Sequence, residues 1–134
     1  MATEFEMVFK GSSKGLLDAV SMLAEHSINL NTVATAKIGD QYYVKFLTGS
    51  DEEVRRMLMK ADLQFRDRPV LVVRVFNKPG QWLRVAKALV DAGIEINASY
   101  LMSQKDDNMS FVFVVSDYEK ARGICSRIAE CSID

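Results

Sequence analysis

The spacing of apolar residues along this 134-residue chain changes repeatedly, and each change marks an element. Phe5, Met7 and Phe9 alternate with Glu6, Val8 and Lys10, a period of two that puts one set of side chains on one face of a strand. Leu16, Val20, Leu23 and Ala24 then recur at helical spacing, and the apolar run Ile28-Asn29-Leu30-Asn31 opens a second strand. Lys37-Ile38-Gly39-Asp40-Gln41 supplies a tight turn into a strand running from Tyr42 to Thr48. Ser50-Asp51-Glu52-Glu53 spells a capping box, in which the serine oxygen accepts from a free N–H at a helix start. The stripe Val54, Leu58, Ala61 follows, and a short closing strand is expected from Leu63 to Phe65.

The same succession returns 66 residues later. Leu71, Val73 and Val75 alternate; Trp82, Val85, Ala86 and Leu89 follow the i, i+3, i+4, i+7 rule; Ile94-Glu95-Ile96-Asn97 opens the next strand. Polar residues from Ser103 to Asn108 precede Phe111 to Val115, and Ser116-Asp117-Tyr118-Glu119 repeats the capping box before Ala121, Ile124, Cys125 and Ile128. At this offset nine residues are identical, including Leu17/Leu83, Leu23/Leu89, Ile28/Ile94, Asn31/Asn97 and Ser50/Ser116. They fall at equivalent points of the pattern, which identifies a repeat. Lys45 aligns with Phe111, so a local slip or bulge is expected in that strand.

Each half therefore reads strand, helix, strand, strand, helix, with a closing strand that is short or missing in the second half. The predicted fold is α+β: two ferredoxin-like βαββαβ modules in tandem, with antiparallel sheets and helices on one face. The charged run Arg66-Asp67-Arg68 before Pro69 sets the expected boundary, giving modules at 1–67 and 68–134.

Composition narrows the function. With 17 Lys+Arg against 18 Asp+Glu, the chain lacks the cationic excess of a general nucleic-acid or anionic-membrane binder. Paired aromatics at Tyr42, Tyr43, Phe111 and Phe113 keep an RNA-binding sheet as a distant alternative. No apolar run reaches the length of a membrane span and no signal segment opens the chain, so a cytoplasmic protein is expected. Cys125 and Cys131 match no zinc or redox spacing and are expected as free thiols. His26, the single histidine, is expected to cap a helix. No metal, cofactor or catalytic group is predicted.

The least ordinary segment is Asn77-Lys78-Pro79-Gly80-Gln81, between a strand and a helix. Pro79 presets φ, Gly80 removes a side chain, and the N–H groups of Gly80, Gln81 and Trp82 stand at the positive end of a helix, able to hold a carboxylate. Pro79-Gly80, Trp82, Val85, Leu89, Gly93-Ile94 and Ile96-Asn97 together resemble the signature of ACT domains, small βαββαβ regulatory modules. Leu23 to Leu30 echoes it in the first half.

That resemblance implies binding of a small molecule, typically an amino acid, between modules of a homo-oligomer such as a dimer, with an enzyme or regulator in trans reading the arrangement. The implied site is Asn77, Lys78, Pro79, Gly80 and Gln81 from the turn, with Ile94, Ile96, Asn97 and Ser99 from the second strand. Asn77 departs from the acidic residue common in that family. In the first half Gly11-Ser12-Ser13-Lys14-Gly15 is a degenerate turn, expected to be structural. A ligand-independent assembly scaffold is the competing reading. An acylphosphatase-type enzyme lacks its arginine in either turn.

Overall fold

The computed structural model describes residues 1–128 and 130–133. Contacts divide the chain into two compact units, Thr3–Arg68 and Pro69–Asp134, the latter joined by Met1–Ala2. They are called here the first and second modules.

The first module runs β1 (Ala2–Lys10), α1 (Lys14–Glu25), β2 (Leu30–Ile38), β3 (Gln41–Thr48) and α2 (Asp51–Lys60). Its strands pair antiparallel in the order β2-β3-β1. Phe5, Met7, Val44 and Phe46 meet Ala19, Leu23, Val54 and Leu58 in the core, with the Phe5 and Phe46 rings stacked 5.4 Å apart. Because strand side chains alternate, Glu6 and Val8 take the opposite, helix-free face.

The strand expected at Leu63 to Phe65 does not form there. Leu63 N–H instead donates to Leu58 O at 3.0 Å and closes the end of α2, with Asp62 at φ 57°. Leu63 and Phe65 still pack on the first core, which accounts for their apolar pattern. The strand begins at Arg66 and continues to Phe76 as β4 (Arg66–Phe76). Pro69 thus lies inside a strand, contrary to expectation, at a point two residues upstream of the first β4 pair in its own module, Leu71↔Phe113.

The second module continues with α3 (Gln81–Asp91), β5 (Ile96–Lys105), β6 (Asn108–Val115), α4 (Tyr118–Cys125) and β7 (Cys131–Ile133). The order is β5-β6-β4-β7, all antiparallel, so the closing strand is present but only three residues long. Leu71, Val73, Val75 and Phe113 pack beneath Val85, Ala86, Leu89, Ala121 and Cys125. The architecture is the predicted one, α+β with βαββαβ modules in tandem. Among the described residues no helix is long and apolar enough to cross a membrane.

Two details explain the imperfect repeat. In both modules the second strand carries a bulge, between Leu30 and Thr32 and between Ile96 and Ala98. The residue passed over is Asn31 in one and Asn97 in the other, so this shared asparagine occupies equivalent irregularities. A further bulge between Leu101 and Ser103 occurs only in β5. Its extra residue, Met102, moves the repeat offset to 67, and Phe46, opposite Phe5, then matches Phe113, opposite Leu71. The awkward alignment of Lys45 with Phe111 disappears.

Candidate functional site

The Asn77–Gln81 turn leaves β4 at its exposed end and enters α3. Gly80 is the N-cap, at φ 82° and ψ 0°, a left-handed conformation that a residue bearing a Cβ adopts only with strain. Asn77 N–H donates to Asp107 O at 2.6 Å and thereby ties the turn to the tip of the β5–β6 hairpin. Lys78 N–H donates to Phe76 O at 2.9 Å, and its ammonium lies 5.3 Å from the Phe76 ring centre. Gln81 N–H reaches Lys78 O only at 3.4 Å. Among the described residues, the N–H groups of Gly80 and Trp82 meet no acceptor. The Gln81 side-chain Oε1 is buried without a donor. Asn77, Lys78, Pro79 and Gly80 are exposed.

The strand residues are placed less uniformly. Ile94 precedes β5 and is buried in the module's own core, where its N–H donates to Leu89 O at 3.0 Å. Ile96 is half-buried against that core. Asn97 is exposed at the bulge. Ser99 Oγ accepts from the Trp82 indole N–H at 3.0 Å, so the start of α3 is joined to β5. The indole also stacks on Phe113, with ring centres 5.9 Å apart. The structure thus brings Ser99 to the turn through Trp82, a residue the sequence reading assigned to packing, and sets Ile94 behind the surface.

The first module's turn is built differently. A Cβ placed on Gly15, the position equivalent to Gln81, would lie 2.7 Å from Phe9 Cδ1. The helix start is pressed onto the Phe9 ring and leaves no space beneath it.

The remaining reactive groups have structural surroundings. Burial pushes the Cys125 thiol up to about 12, with the neighbouring Cys131 adding to the effect; burial also raises Cys131, partly offset by Arg84. Both thiols are free, and burial disfavours the thiolate form of each. His26 Nδ1 lies 2.9 Å from Met22 O at the end of α1, the position of a helix-capping donor. Among the described residues no three His, Cys, Asp or Glu side chains gather as a metal site would require. Phe111 and Phe113 pack toward the helices in the core, which removes two of the four aromatics from any base-stacking surface.

No protein-family model and no curated protein matches the chain. Solved structures do. Protein BT0572 from Bacteroides thetaiotaomicron superposes with a TM-score of 0.87 at 17% identity, over 98% of this chain and 92% of that one. The ligand-free regulatory subunit of aspartate kinase from Thermus thermophilus gives 0.66 at 14% identity, over 94% and 91%. The corresponding subunit from Thermus flavus gives 0.58 at 14%, over 84% and 82%. At these identities the likeness is one of fold, and the fold is that of tandem ACT-type modules.

Proposed function

We propose that this chain is a non-catalytic regulatory module that binds a small molecule, an amino acid, at the Asn77–Gln81 turn and transmits occupancy through the arrangement of modules or subunits. The observation that carries the reading is the left-handed Gly80 with the free N–H groups of Gly80 and Trp82 beside it. Two unpaired donors at the positive end of a helix suit a carboxylate. The exposed Asn77 side-chain carbonyl can accept from the ammonium. Ile96, Asn97 and Ser99 form the opposing strand surface, and Ile94 supports it from the core. The turn is exposed from Asn77 to Gly80, and a second copy in a homodimer completes the site. Fold likeness to two aspartate kinase regulatory subunits supports the regulatory role. The cytoplasm, where free amino acids and a partner enzyme or regulator are available, is the setting this role requires.

A panel of free amino acids tests the proposal by thermal unfolding and calorimetry. A ligand at about 100 times its Kd contributes about 2.7 kcal/mol, several degrees in melting temperature for a chain of this size. One or two members of the panel are expected to produce that shift, and silence across the whole panel sinks the proposal.

The second reading, an assembly scaffold indifferent to metabolites, draws on β5, ten residues long at the end of its sheet order with Leu101 47% exposed. An oligomer whose size and stability no amino acid alters would favour it.

A further inference from the structure

The first module carries a groove remote in sequence from the Asn77–Gln81 turn. It has a volume of about 710 Å³ and is lined by Glu6 and Val8 of β1, Gln41 and Tyr43 of β3, and the segment from Leu63 to Arg66. That size falls within the range of small-molecule sites. Strand alternation sets its floor on the face of β1 opposite Phe5 and Met7. Val8 is 43% exposed there, directly across from Tyr43. The Tyr43 hydroxyl donates to Gln41 Oε1 at 2.8 Å, which leaves the Gln41 amide nitrogen as a donor and the hydroxyl oxygen as an acceptor.

Charge decides what the groove can take. Among the described residues that line it, the Glu6 carboxylate is the only acidic group, and both oxygens are engaged: Oε2 with Lys45 Nζ at 2.8 Å and Oε1 with Arg68 Nη2 at 2.9 Å. Arg66 is its only basic group and has no acidic partner among the described residues. The groove therefore offers a free cation and no free anion, beside an apolar floor.

From this juxtaposition we infer that the groove is a second small-molecule site, for an organic monoanion with an apolar or aromatic body and no ammonium group. Arg66 takes the carboxylate, and Val8 and the Tyr43 ring take the body. An α-amino acid would carry its ammonium next to Arg66 with every carboxylate oxygen already committed, so the site selects against it.

Phenylacetate and phenylalanine share a body and differ in the ammonium, so they make the test. Each is titrated into the full-length, 15N-labelled protein while the amide resonances are followed. Phenylacetate is expected to move Val8, Tyr43 and Gln64 saturably, and phenylalanine to leave them in place. Arg66→Gln, at an exposed position, is expected to raise the phenylacetate Kd about tenfold, the loss of one charged hydrogen bond. Val8→Asp is a second variant with the same expected direction, and each variant's own spectrum reports whether it folds. The inference is overturned if phenylacetate moves none of these resonances, if phenylalanine moves them equally, or if Arg66→Gln binds as tightly as the parent. Shifts confined to the neighbourhood of Asn77–Gln81 would overturn it too, while leaving the turn site standing.

Discussion

Gly15 and Gly80 sit at the starts of equivalent helices for opposite reasons. Gly80 needs its left-handed φ of 82°, with open space where a Cβ would go; Gly15 has no such φ but has Phe9 against it. Gly80→Ala should cost about 1–2 kcal/mol from backbone strain. Gly15→Ala should cost about 1–3 kcal/mol from overpacking, and most of that cost should vanish in a Phe9→Leu background. Urea unfolding of the five variants, Phe9→Leu alone and each glycine change with and without it, separates the two causes, because Phe9→Leu leaves the Gly80→Ala penalty unchanged. A third position shows the repeat working without glycine. Ser27 at φ 60° does the work of Gly93 at φ 80°, and in both modules the next residue's N–H returns to a leucine carbonyl at 3.0 Å. Ser27→Gly should therefore stabilise the protein by about 0.5–1 kcal/mol, relief of left-handed strain outweighing the added chain entropy of glycine.

At the scale of elements, helix caps part company with the motif that announced them. Asp117, one residue beyond the expected Ser116, caps α4 by accepting from Lys120 N–H at 3.1 Å. Ser116 Oγ instead accepts from Glu95 N–H at 3.0 Å across the loop. Ser50 is the N-cap of α2 but makes no side-chain cap bond. Asp117→Ala should cost about 1 kcal/mol and Ser50→Ala less than about 0.5 kcal/mol, an inequality the two capping boxes do not foretell. The elements themselves were legible because burial imposes period two on Phe5, Met7, Phe9 and period 3.6 on Val85, Ala86, Leu89. The Met102 bulge was legible only as a misfit: Lys45 against Phe111 announced a slip, but the extra residue sits in the preceding strand, β5, a position that a shifted alignment does not locate. Leu63 and Phe65 looked like a strand because they face the core, yet hydrogen bonding, which the pattern does not encode, commits Leu63 to the helix end. The turn at Asn77–Gln81 was visible in Pro79-Gly80, whereas its link to Ser99 through Trp82 depends on how far an indole reaches over Phe113.

Cross-strand charge belongs to this scale as well. Glu6 faces Lys45 on β3 and binds Arg68 from β4. Burial alone would raise the Glu6 carboxyl, but the hydrogen bonds and charges of Lys45 and Arg68 outweigh it and hold the group below its ordinary value. A lowered carboxyl stabilises the fold fully above its unfolded-state pKa, and that contribution is lost as pH falls through the folded-state value. Glu6→Gln should accordingly flatten the acid limb of the stability curve below about pH 4.5 while lowering stability at neutral pH. Thermal melts at stepped pH read both effects, and an unchanged acid limb would remove Glu6 from the account.

In the whole molecule the duplication has produced two modules with the same elements and unequal turns. The second keeps a left-handed glycine with free N–H donors; the first presses Gly15 onto Phe9. Among the nine identities, Leu23/Leu89 and Ile28/Ile94 hold the cores and Asn31/Asn97 the bulges. The turns answered to no such requirement and diverged. Regulation by a carboxylate ligand should then be carried by one module per chain. Gly80→Ala changes the backbone that presents the donors, so it should abolish an amino acid's effect on the melting temperature beyond its own stability cost. Ser12→Ala, in the equivalent turn of the first module, should leave that effect intact, although Ser12 Oγ accepts from Lys14 N–H at 3.3 Å. Calorimetry on the parent protein should give one amino acid bound per chain. Two equivalent sites, or a ligand effect lost in Ser12→Ala and kept in Gly80→Ala, would place recognition in the wrong module and refute the asymmetry.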